Sequence, residues 1–124
     1  MKRLSLAQVK AMNGLLAVET GHAAAIRDEE LLERIINAPW QTFDGEDVYR
    51  GLDAKAARLA YGFIDGRPFR SGNARIGMLA MLTFLEINGV TLHCNDEAIV
   101  ETAHSIERGE MTQGQLMLWI REHR

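Results

Sequence analysis

The stretch RPFRSGNARIG, Arg67 to Gly77, is where residue types and spacing come nearest to chemistry. Three arginines, Arg67, Arg70 and Arg75, surround a Gly72–Asn73 pair in front of a long apolar run. The first turn of a helix carries free backbone N–H groups and the positive end of the macrodipole, so such a start attracts anions. Gly72 lets the backbone come close to a ligand. Arg75, in the first turn, can pair bidentately with a phosphate. The same stretch has no histidine, carboxylate, lysine or cysteine. Most helix starts bind nothing, so on spacing alone the stretch reads first as an ordinary helix start with solvated arginines, because short glycine motifs match by chance.

Other reactive residues are scattered. His22, His93, His104 and His123 share no metal-ligand spacing with each other or with Cys94, so no metal site is expected. His93 and Cys94 are adjacent in an extended segment and point to opposite faces, which argues against a Cys–His nucleophile. Met78, Met81, Met111 and Met117 read as core filler. Trp40 and Phe43 sit together in an irregular loop. They form either a hydrophobic lid on the core or a flap that contacts a ligand.

Helices must position these residues. Ser5 and Gln8 make a capping box before Leu6, Val9, Met12, Leu16 and Ala17, and Gly21 ends that helix. Asp28 caps EELLERII, with Glu29 and Glu30 facing the N-terminal dipole, and Pro39 ends it. PWQTFDGEDVYRGL, 39–52, has no clean period and reads as loop, short strand or short helix. Asp53 to Ile64 predicts a helix of small residues that neighbours can approach closely. Asn73 to Asn88 is apolar nearly all round, the pattern of a buried helix, with Gly89 at its end. GVTLHCN is an extended connector. Asn95 then caps DEAIVETAHSIER, Gly109 ends it, and Thr112 with Gln115 repeats the capping box before the last helix. The expected architecture is all-α, a compact bundle of about six helices with a short strand or flap over 40–48, in a single domain spanning 1–124.

The totals narrow the function classes. A chain of 124 residues supports one modest core. Its net charge of −3 lacks the basic excess of a nucleic-acid binder. One cysteine rules out an internal disulfide framework and fits a reducing compartment. Gln8, Lys10 and Asn13 interrupt any signal-peptide core. The longest apolar run, MLAMLTFLEI, is too short to span a bilayer. A soluble cytoplasmic protein is the expectation.

The order of three segments, IRDEELLERIINAPWQTFDGEDVY, KAARLAYGFI and RPFRSGNARIGMLAMLTFLEINGV, resembles the death-on-curing branch of the Fic family across most of the chain. The family signature reads H-P-F-x-D-G-N-K-R-T, followed by an apolar helix ending in N-G. Pro68, Phe69, Gly72, Asn73 and Arg75 match it. The resemblance implies an all-helical core whose motif loop holds nucleotide phosphates with a divalent cation, ATP with Mg²⁺. Fic relatives transfer a nucleotide monophosphate to a hydroxyl. Death-on-curing toxins phosphorylate a threonine of elongation factor Tu, and a Phd-like antitoxin inhibits them by laying a segment along the toxin.

Carried over residue by residue, the resemblance makes Phe69 the loop's buried anchor beside Pro68, and gives Gly72, Asn73 and Arg75 phosphate-facing roles. Arg67 stands at the motif histidine, the general base, and a guanidinium stays protonated. Ser71 stands at the metal-binding acid, and a neutral hydroxyl is a poorer Mg²⁺ ligand. Ala74 stands at the phosphate-contacting lysine, and Ile76 at the threonine. No catalytic residue of the motif is intact, so transfer is expected to be severely reduced or absent. Two other readings follow from the residues. Arg67, Arg70 and Arg75 could make an anion- or nucleotide-binding module, or they could simply solvate the loop. A relocated base would have to come from Glu46, Asp47 or Asp65.

Overall fold

The computed structural model describes residues 1–21 and 24–124; His22 lies outside them. Among the described residues the chain forms six α-helices: α1 (Leu6–Thr20), α2 (Glu29–Asn37), α3 (Gly51–Gly66), α4 (Asn73–Ile87), α5 (Asp96–Glu107) and α6 (Gln113–His123). A 3₁₀ turn, Ala38–Trp40, leads into a hairpin of β1 (Thr42–Phe43) and β2 (Glu46–Asp47). The all-α expectation is therefore met, and the strand expected near 40–48 is this hairpin. No helix among the described residues is long and apolar enough to cross a membrane.

Local sequence sets the helix ends. The Ser5 and Thr112 hydroxyls accept from the N–H groups of Gln8 and Gln115, whose side chains reach back to close both capping boxes. Asp28 and Asn95 accept from the N–H groups of Leu31 and Ala98. Such caps satisfy donors the helix cannot, and each contributes about 1 kcal/mol. Helix α3 runs two residues beyond its predicted span at each end, starting at Gly51 and continuing at its C-terminus until the left-handed Arg67 breaks it.

Helix α3 is the central element, and its small residues govern how closely others approach. A Cβ added at Gly77 of α4 would lie 3.0 Å from Phe63 Cβ and 3.1 Å from the Ala60 carbonyl oxygen. A Cβ at Gly62 or Gly66 would lie 3.0 Å from the Ile35 side chain of α2. Packing this tight draws α2 and α4 onto α3 over a core that includes Leu32, Phe63, Ile76, Met81 and Phe84. The core also takes in Met78, while Met111 and Met117 are only partly buried against it.

Polar side chains fasten the periphery. The Asn88 side chain accepts from the Lys2 N–H at 2.7 Å and donates to the Lys2 and Phe84 carbonyls. Buried Asp53, in the first turn of α3, accepts from Arg121 at 3.4 Å and Arg124 at 3.1 Å. Lys55 is 1% exposed. Its ammonium donates to Asp47 at 3.0 Å and to the Tyr49 carbonyl, and lies 5.4 Å from the centre of the Trp40 ring. The hairpin is thereby tied to the start of α3.

Candidate functional site at the motif loop

The loop between α3 and α4 begins at a strained residue. Arg67 has φ 53°, a left-handed conformation unusual for a residue with a side chain. Its N–H donates to the Phe63 carbonyl at 3.0 Å and closes α3. Arg27 completes that end: Nε donates to the Arg67 carbonyl at 2.7 Å and Nη2 to the Gly66 carbonyl at 2.9 Å. A guanidinium there both satisfies orphan carbonyls and complements the helix dipole.

The same connector holds the middle of the loop. The N–H groups of Arg27 and Asp28 both donate to the Pro68 carbonyl, at 2.8 and 3.1 Å, and Arg70 N–H donates to the Ala25 carbonyl at 3.0 Å. Ile26 and Phe69 form an antiparallel bridge. Phe69 is buried and stacks on Phe63, with ring centres 6.4 Å apart. Pro68 is also buried. The far side of the loop is closed by Asn73, whose side chain both accepts from Phe69 N–H and donates to the Phe69 carbonyl, each at 3.0 Å. Gly72 caps α4 at φ 75°, a conformation that costs glycine nothing.

The guanidinium-bearing residues Arg67, Arg70 and Arg75 are exposed. Ser71, Gly72 and Ala74 are half-buried. Helix α1 roofs one side: Asn13, Leu16, Ala17 and Thr20 enclose a gap of about 10 Å³ against Ser71, Gly72 and Arg75. That holds one water at most and has no room for a phosphate. Beyond Arg75 the surface opens into a cleft of about 380 Å³ between α1, α4 and α5, walled by Leu16, Met78, Leu79, Leu82, Ile99 and Val100.

The aromatic pair of the 39–52 segment is not at this loop. The hairpin precedes α3 and the motif loop follows it, so a helix of 16 residues, about 24 Å long, separates them. The two aromatics also part company. Trp40 is half-buried, edge-on to Phe84 at 6.1 Å, and behaves as a lid on the core. Phe43 is 76% exposed. Glu46 pairs with Arg50 and Asp47 with Lys55 at that same far end, so neither acid reaches the loop. Asp65 lies in the last turn of α3 and is exposed.

The other reactive groups stay apart. His104 pairs with Glu107 at 3.0 Å, and the His123 ring nitrogen lies 2.6 Å from the Trp119 carbonyl. Burial, and then the Asp96 carboxylate, raise the Cys94 thiol above its ordinary pKa, the opposite of what a nucleophile needs. Among the described residues no three His, Cys, Asp or Glu side chains gather as a metal cluster.

Sequence reasoning did not single out Arg27 or Asn13. Arg27 lies within the matching segment IRDEELLERIINAPWQTFDGEDVY, but an arginine that grips two carbonyls some 40 residues away leaves no local periodic signal.

The sequence profile of the Fic/DOC family matches residues 3–85. Over 76 residues the chain is 36% identical to Toxin Doc of Mycolicibacterium smegmatis, a match that takes in 61% of this chain and 58% of that protein. The chain thus spans less than two thirds of the curated relative it matches. The matched region contains α1 to α3, the motif loop and nearly all of α4, the elements that build the site, and the chain belongs to the Fic/DOC family, on its death-on-curing side.

Proposed function

We propose that this chain is a death-on-curing toxin relative whose phosphotransfer chemistry is severely reduced or absent, and that it retains the surface that meets an antitoxin. One observation carries the reading. The loop keeps its shape through Arg27, Asn73 and the left-handed Arg67 and Gly72, while the side chains at 67, 71 and 74 supply neither a base, a metal ligand nor a lysine. Absence of a general base alone costs about 10²–10⁴-fold in rate.

The donor set does not fit Mg²⁺. Three guanidinium groups and one hydroxyl surround the loop, whereas Mg²⁺ is bound through carboxylates and phosphates. No step of the reaction is therefore assigned to a cation here. The family's ATP use and its target, elongation factor Tu, are the starting points for assay.

The partner surface is the apolar cleft between α1, α4 and α5. Val100 of α5, one of its walls, stands exposed, and an open cleft with apolar walls is the kind of surface that marks protein interfaces. A relative named as a toxin supports a neutralising partner of the Phd kind.

The test is transfer of radiolabel from ATP to elongation factor Tu. The unchanged chain gives no product above background. The triple variant Arg67→His, Ser71→Asp, Ala74→Lys regains measurable transfer. Robust transfer by the unchanged chain overturns the reading.

A second reading, an anion- or nucleotide-binding module, is favoured by the exposed guanidinium groups of Arg67 and Arg70 beside the start of α4. ATP without magnesium would then raise the melting temperature by the ordinary linkage of binding to stability. No shift at millimolar ATP counts against it.

A further inference from the structure

We propose that Arg27 is the positioning residue of the motif loop: it holds the left-handed turn at Arg67 by gripping the carbonyls of Gly66 and Arg67, and so sets where the loop's main chain and the start of α4 stand. The two bonds, 2.9 and 2.7 Å, come from two nitrogens of one planar group. That fork fixes both the distance and the relative tilt of the two carbonyls, which a point charge does not. Arg27 is itself held by its backbone, because its N–H and that of Asp28 converge on the Pro68 carbonyl. Clamp and loop therefore share three consecutive residues, Gly66, Arg67 and Pro68, and nothing in this arrangement depends on the side chains at 67, 71 or 74. This explains how the loop geometry persists beside replaced chemistry. It rests on the proposed function only where activity is the readout.

The direct test is amide hydrogen exchange followed residue by residue on the full chain. Exchange reports local opening. Arg27→Ala is expected to speed exchange at Phe69 and Arg70 by about tenfold or more, with α5 and α6 amides changed by less than about twofold. Arg27→Lys, which offers one compact donor in place of a fork, is expected to fall between the two. Unchanged exchange at Phe69 and Arg70 overturns the proposal. So does equal acceleration throughout the chain, which would mean general destabilisation, and so does full protection by lysine.

A second arm uses the reverted chain with histidine, aspartate and lysine at 67, 71 and 74. Adding Arg27→Ala there should lower kcat by about tenfold or more while KM for ATP moves less than about twofold, the signature of lost positioning. A fall confined to KM overturns the role. If the reverted chain shows no transfer at all, the reading of the motif as the only damaged part fails, while the exchange measurement still decides Arg27.

Discussion

Asn73 grips Phe69 by both ends of its peptide: the side-chain oxygen accepts the Phe69 N–H and the side-chain nitrogen donates to the Phe69 carbonyl. A short amide carries its donor and its acceptor on separate atoms, so it can meet both ends of one peptide at once. Asn73→Ala leaves both groups without a partner in a part-buried loop, and should cost about 1–3 kcal/mol in urea unfolding. Asn73→Asp keeps the acceptor, loses the donor and should cost less than alanine. Equal stability of all three proteins would show that water replaces the pair without penalty.

Gly77 sits where α4 touches α3. Gly77→Ala places a methyl carbon 3.0 Å from Phe63 Cβ, and overpacking of this kind costs about 1–3 kcal/mol. Gly114 is the contrasting case, because an added Cβ meets nothing closer than 4.0 Å. Gly114→Ala, in the first turn of α6, should be neutral or stabilise by up to about 1 kcal/mol. Thermal unfolding of the two variants distinguishes a packing effect from a general preference for alanine in helices.

Lys55→Met removes the buried ammonium while filling most of its volume. Asp47 is about half exposed and can rehydrate, so the stability cost should stay near 1–3 kcal/mol. The larger change is expected at the hairpin, where Val48 N–H bonds the Gln41 carbonyl at 2.9 Å. That amide should exchange faster, and the tryptophan emission should shift, since Trp40 loses one of the two cations over its ring and keeps Arg3. Unchanged emission and unchanged exchange would remove Lys55 as the hairpin's anchor.

The Cys94 thiol is raised by burial and by Asp96, so the folded chain holds that proton to higher pH than the unfolded chain does. The resulting stability is whole below the ordinary thiol value and is lost as pH rises through the raised one. At about pH 8, just under the ordinary thiol pKa, iodoacetamide should alkylate Cys94 more slowly in the folded protein than in urea. The gap should narrow as pH climbs. Faster alkylation of the folded form would contradict the shift.

Much of the fold was legible because its signals are local. Capping boxes at Ser5 and Thr112, caps at Asp28 and Asn95, and the apolar stretch after Asn73 each act within one or two turns. What the sequence concealed is long-range. Trp40 and Phe43 are three residues apart, yet one faces Phe84 and the other faces solvent, because the Asp44–Gly45 turn with its positive φ angles projects the hairpin outward. Arg27 and Gly66 meet only after α2 and α3 have packed. The site's composition was readable at Arg67, Ser71 and Ala74, but its carpentry, Arg27 and the connector from Ala24 to Asp28, came from tertiary structure.

The exposed side chain of Arg67 and the half-buried one of Ser71 take no part in the hydrophobic core, while Phe69 beside them is almost fully buried. What this loop needs in order to fold and what it would need in order to react are therefore written in different letters. Selection for folding alone would preserve Phe69, act on position 67 only through its left-handed backbone and let position 71 drift. A folding or solubility screen applied to variants of this protein would read position 67 through its backbone and hardly register what its side chain, or that of position 71, could do in a reaction.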